Sequence, residues 1–204
     1  MKFFTLALAT LLAQTVTIAQ SPFEHQSNGF RLILKSTDND LNNHALGACH
    51  WSAAYEGLCL TNDTTATPAR PYTTFYHNVF SYDVTQGILN WPMSLYGRVD
   101  PVPSAMRFEY ESGTNLVNMA FTPWTDTYQV VCFEEGSASM YIAIAKDDTG
   151  KAPDWVDPPK KVKNWYMCTM RYDDTWRSLA WKIGFVGEPQ NPTCSKVDVV
   201  RVWV

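Results

Sequence analysis

Long apolar runs are missing from this chain after its first twenty residues. No later stretch approaches the roughly 20 consecutive apolar residues that a membrane-spanning helix needs. Basic runs are missing as well. Lys160-Lys161-Val162-Lys163 is the densest and it is short, while 16 Lys+Arg stand against 20 Asp+Glu. Such a surface does not attract polyphosphates, so a nucleic-acid partner is not expected. Histidine is scarce: His25, His44, His50 and His77 are the full set. No Gly-x-Ser-x-Gly turn is present to carry a serine nucleophile. Clustered metal-ligand pairs are missing too, because structural zinc prefers cysteines about two to four residues apart. Finally, no convincing amphipathic helix is written in the chain. The best candidate is a turn or two around Trp51–Tyr55.

What is present begins at the N-terminus. MKFFTLALATLLAQTVTIAQ (1–20) has one early charge, Lys2, then an uncharged, largely apolar run to Ala19. Thr17 and Ala19 supply small residues at the −3 and −1 positions of a cleavage site, which is the layout of a secretory signal peptide. The reading is therefore a signal peptide over 1–19, a polar tail over 20–29 and one β domain over 30–204. The expected location is outside the cell, with no membrane attachment once the signal is gone. A remainder of about 185 residues suits a single domain with a real core.

The apolar pattern has period two. FRLIL (30–34), EGLCL (56–60), TTFYHNVF (73–80), GILNW (87–91), AMRFEY (105–110) and YQVVCFE (128–134) read as half-buried strands. MYIAIA (140–145), WYMCTMRY (165–172), SLAWKI (178–183) and VDVVRVWV (197–204) read the same way. Turn chemistry separates them, and the prolines and glycine of KDDTGKAPDWVDPPKK (146–161) predict an irregular connection there. Ten or more short strands predict an all-β fold. An antiparallel β-sandwich, jelly-roll-like, is the first choice, with a β-trefoil or barrel as the alternative.

Five cysteines follow the signal: Cys49, Cys59, Cys132, Cys168 and Cys194. In a secreted chain, pairing is the default. Local closure favours Cys49–Cys59, worth about 3 kcal/mol in the loop-entropy model. Cys168, within a strong strand, and Cys194, just before the last one, are expected to pair and pin the chain's end. Cys132 then remains as a buried small hydrophobe.

Candidate chemistry is sparse. Glu56, Glu109, Glu111, Glu134 and Glu135 lie in or beside strands, and a pair of them could hydrolyse a glycosidic bond. The doublets Asp147-Asp148 and Asp173-Asp174 read as solvated turns, and neither a metal nor another cofactor is expected. Asn62-Asp63-Thr64 is a glycosylation sequon at Asn62. The aromatic load is the strongest positive signal, with 8 Trp and 10 Tyr available to stack on sugar or peptide. Trp51, Tyr55, Trp91, Trp124 and Trp155 fall in or near connections and are the candidate ligand contacts. Trp165, Trp181 and Trp203 fall in strands and are expected to be structural.

Several stretches resemble a family of small secreted fungal proteins built on a domain of unknown function. They are FRLILKS (30–36), ALGACHWSAAYEGLCL (45–60), WYMCTMRY (165–172), SLAWKIG (178–184) and NPTCSKVDVVRVWV (191–204). The resemblance implies secretion, a compact β fold, the same two cysteine pairs and a filamentous fungus as source. It implies no activity, substrate or catalytic residue, and it fades over 92–135. The functional expectation is a non-enzymatic binding or effector-like module meeting a cell-wall polysaccharide or a surface protein. The alternatives are a carbohydrate-active hydrolase with a carboxylate pair and a structural wall component.

Overall fold

The computed structural model describes residues 25–123, 127–152 and 154–204. The signal-peptide reading over 1–19 and the candidate Trp124 lie outside these residues. The strands in chain order are β1 (His25–Gln26), β2 (Phe30–Lys35), β3 (His44–Ser52), β4 (Tyr55–Thr64) and β5 (Tyr76–Phe80). They continue as β6 (Asp83–Met93), β7 (Val102–Tyr110), β8 (Leu116–Pro123), β9 (Val130–Phe133) and β10 (Met140–Asp147). The last are β11 (Asp154–Val162), β12 (Trp165–Arg171), β13 (Thr175–Lys182), β14 (Ser195–Lys196) and β15 (Asp198–Trp203). One 3-10 turn, Pro71–Thr73, is the sole helical element among the described residues.

The main hydrogen-bonded path runs β11-β10-β9-β6-β7-β8-β13-β4-β3-β2-β15. The fold is all-β and antiparallel, and the sheet curls into a half-barrel. Its far end, β15, returns to the start of β10 through a bridge between Ser139 and Val200. Arg201 reinforces that return. Its guanidinium carbon lies 4.4 Å from the Phe133 ring centre and 4.3 Å from that of Trp203.

Alternation along the strands fills the inside of the curl. Leu58, Leu89, Met106, Met119, Phe121 and Leu179 all belong to one buried apolar cluster. Trp165 and Trp181 meet edge to face within it, with centroids 4.6 Å apart, as expected of structural tryptophans. Trp203, by contrast, is half exposed and packs on Phe30 and Arg201. On β2 the alternation is overridden, because Arg31 and Ile33 are buried alongside Phe30, Leu32 and Leu34. Arg31 tolerates this by donating to the carbonyls of Thr64, Thr65 and Thr67.

Two expectations need correction. The stretch around Trp51–Tyr55 is not helical. It is the tip of the β3–β4 hairpin, where Ser52 faces Tyr55 and Ala54 turns the chain at φ 56°. The stretch 146–161 is not irregular throughout either, since β11 occupies its second half. Prolines are tolerated because β11 is the end strand of the path and, among the described residues, pairs only with β10. The register jumps from Lys146–Trp155 to Ile144–Lys160, so Pro158 and Pro159 sit in a bulge.

Both expected disulfides form. Cys49–Cys59 is a diagonal staple across the β3–β4 hairpin, where Gly47 faces Cys59 and Cys49 faces Gly57. Cys168–Cys194 ties β12 to the segment entering β14, which pairs with β12. Cys132 is free and buried, and burial raises its thiol pKa.

Candidate functional site

The outward residues of β4, β7, β8 and β13 build a second, smaller assembly on the opposite face from the core. Its floor is made of small residues. Gly57 and Ala120 are direct cross-strand neighbours. A Cβ at Gly57 would fall 1.9 Å from Trp51 Cε2, so the indole lies against the bare backbone. Tyr172 stacks on that indole at 3.8 Å and 18°, and Tyr55 tilts against it at 5.7 Å. Trp176 packs onto the same cluster.

Charge borders the aromatics. Arg107, opposite Ala120, reaches within 5.8 Å of the Tyr55 ring centre and forms an ion pair with Glu109. Burial, with the Glu109 charge next, pushes the Tyr55 phenol up to about 12, so it stays protonated at neutral pH. The Tyr172 phenol is pushed up as well, by burial first and then by Tyr55, Glu111 and Glu109.

Beside Tyr172 a groove of about 230 Å³ opens, lined by Glu111, Asn118, Thr169 and Asn191 among others. β13 runs between β8 and β12, and Ala180 faces both Asn118 and Tyr166 while Ser178 faces Cys168. Asn118 is only 7% exposed, and its amide reaches Glu111 Oε1 at 3.5 Å. Asn191 is held from both ends, donating to the Thr169 carbonyl and accepting from Thr193.

The candidate aromatics named from sequence separate. Trp51 and Tyr55 are central to this cluster, but Trp51 is 2% exposed and supports Tyr172 rather than offering a free face. Trp91 lies apart, its indole donating to the Pro71 carbonyl at 3.0 Å. Trp155 is exposed on the end strand β11, away from the others. Asn62 is exposed on β4. Tyr172, Trp176, Arg107 and Asn118 went unnamed, because only the strand order brings them to Trp51.

The carboxylates are mostly engaged. Glu56 meets His50 at 2.9 Å. Glu134 accepts from Lys163, which holds its carboxyl below the usual range. Asp147 is held low by Lys160. Among the described residues, no group of three or more His, Cys, Asp or Glu is placed to hold a metal ion.

A family model described as a domain of unknown function, DUF7907, matches residues 27–203. The chain belongs to that family. The match begins just after β1 and ends on the last residue of β15, so it takes in every strand from β2 to β15. No curated protein and no solved structure matches the chain. Among the described residues no helix is long and apolar enough to cross a membrane.

Proposed function

We propose that this DUF7907 protein is a secreted fungal binding domain that holds a saccharide of a cell wall or cell surface in the groove beside Tyr172. The carrying observation is the lining itself: the nearly buried amide of Asn118, the carboxylate of Glu111 and the ring of Tyr172 converge on one hollow. Sugar hydroxyls donate and accept at the same oxygen, so amide and carboxylate groups hold them well, and a ring covers the apolar C–H face. Two disulfides suit an extracellular life. Exposed Asn62 would then receive a glycan outside the groove.

Hydrolysis by Glu109 and Glu111 is the competing reading. Glu109 is already committed to Arg107 and Tyr55, which speaks for positioning rather than acid–base work. The test titrates the protein with laminarihexaose and mannohexaose, and screens the same sugars for cleavage. Binding that weakens at least tenfold in Glu111→Ala and Asn118→Leu, without turnover, supports the proposal. Turnover abolished by Glu111→Gln would replace it with the hydrolase reading.

A further inference from the structure

On the outer face of β5, β6 and β7 lies a smaller cavity of about 140 Å³. Tyr76 faces Asn90 across β5–β6, and Pro92 faces Pro103 across β6–β7. Gln26 of β1 faces Asn78 and closes one side. Asn90 is only 7% exposed. The amide oxygens of Asn78 and Asn90 are both buried without a hydrogen-bond partner. An unmade hydrogen bond at a buried acceptor is costly, and two of them in one small cavity call for a donor from outside the chain. The walls restrict that donor. Tyr76, Trp91, Pro92 and Pro103 are apolar surfaces, prolines bring no N–H, and no lining side chain among the described residues carries a charge.

The geometry points to a second binding site, one that takes the acetamido group of an N-acetylated sugar. The acetamido N–H supplies one of the two missing donors and a ring hydroxyl the other, the acetamido methyl packs on the proline wall, and the sugar ring lies against Tyr76 and Trp91. A peptide amide offers the same N–H but fits the place less well. β5 pairs with β1 and β6, β6 with β5 and β7, and β7 with β6 and β8, and, among the described residues, the one unpaired edge beside the cavity, that of β1, is two residues long, too short to seat an extended chain. The cavity also has room for one ring, not a run of residues. This site shares no residue with the groove beside Tyr172 and stands on its own observation.

The test is an NMR titration of the full chain, reading the Asn78 and Asn90 side-chain amides and the Trp91 indole. The probes are N-acetylglucosamine, glucose and a blocked proline dipeptide. N-acetylglucosamine is expected to shift all three groups, with glucose at least tenfold weaker. Asn90→Leu should weaken N-acetylglucosamine at least tenfold while leaving the thermal midpoint unchanged or raised, since an apolar replacement removes the orphaned acceptor. Asn78→Leu, on the half-buried rim, reads the same loss should the first variant fail to fold. Equal response to glucose, no response at these groups, or response to the proline dipeptide alone would overturn the assignment. Failure here leaves the groove beside Tyr172 untouched, because Glu111 and Asn118 are read by other signals.

Discussion

The two faces of β7, β8 and β13 are built from neighbouring residues and do opposite things. Inward, Met106, Phe108, Val117, Met119, Phe121, Leu179 and Trp181 pack into one apolar mass. Outward, Arg107, Glu109, Asn118, Ala120, Ser178 and Ala180 alternate with them along the same strands. The inner face is filled by large side chains from many strands. The outer face sets a floor of small residues and stands aromatics and charges around it. The curl gives the concave side the main core, while the convex side carries smaller buried clusters around Trp51 and Ala180, and the proposed recognition surface lies beside them.

Breaking the inner face should have the largest effect. Phe121 is fully buried and stacks on Phe75 at 5.8 Å. Phe121→Ala is expected to cost about 3–5 kcal/mol in urea unfolding. A loss under about 1 kcal/mol would mean that the inner face is not the packed one.

Acid should act next, also from the inside. His77 is 1% exposed and its ring donates toward the Val131 carbonyl at 3.2 Å. Burial lowers its pKa from 6.5 to about 4. The unfolded chain therefore takes up this proton first as pH falls. The stability due to neutral His77 is complete above about pH 6.5 and is lost on the way down to about pH 4, a change of about 3 kcal/mol. Urea midpoints measured between pH 7 and pH 4 should fall accordingly, and His77→Phe should flatten that part of the curve.

Gly57→Ala sharpens the comparison from the outside. The added methyl meets Trp51 and must displace it. A loss of about 1–3 kcal/mol is expected, with a changed near-ultraviolet circular dichroism signal as the Trp51–Tyr172 stack opens. An unchanged signal would show that the stack does not depend on the bare backbone at this position.

Glu111→Ala should have the smallest effect on folding, within about 0.5 kcal/mol, because Glu111 is exposed and its side chain meets Asn118 at a long 3.5 Å. Under the proposed function its effect is expected on ligand binding instead.

Much of the inner face was legible in the chain. The period-two run TTFYHNVF became β5 with alternating burial, FRLIL and SLAWKI became strands buried on both faces, and the two cysteine pairs followed from spacing and strand position. β11 was misread because end-strand position is a property of the sheet, and prolines alone do not reveal it. β8 was passed over although Val117, Met119 and Phe121 alternate, since Asn118 and Pro123 blurred the run. The outer site was legible only in fragments. Trp51 and Tyr55 were singled out as ligand contacts, yet the role of Trp51 as a support depends on Gly57 of the facing strand. Tyr172 belongs beside Trp51 through pairings that join β12 to β13 and β13 to β4, which no local pattern encodes.

The most direct test of the outer face as a recognition surface is an NMR titration of the labelled protein with laminarihexaose and mannohexaose, following the Asn118 side-chain amide and the Trp51 and Trp176 indoles. The account predicts that at least one of these sugars shifts the Asn118 amide together with the Trp51 indole beneath Tyr172, and that Glu111→Ala weakens the response at least tenfold. Saturating concentrations of both sugars that leave these three groups unmoved would contradict it.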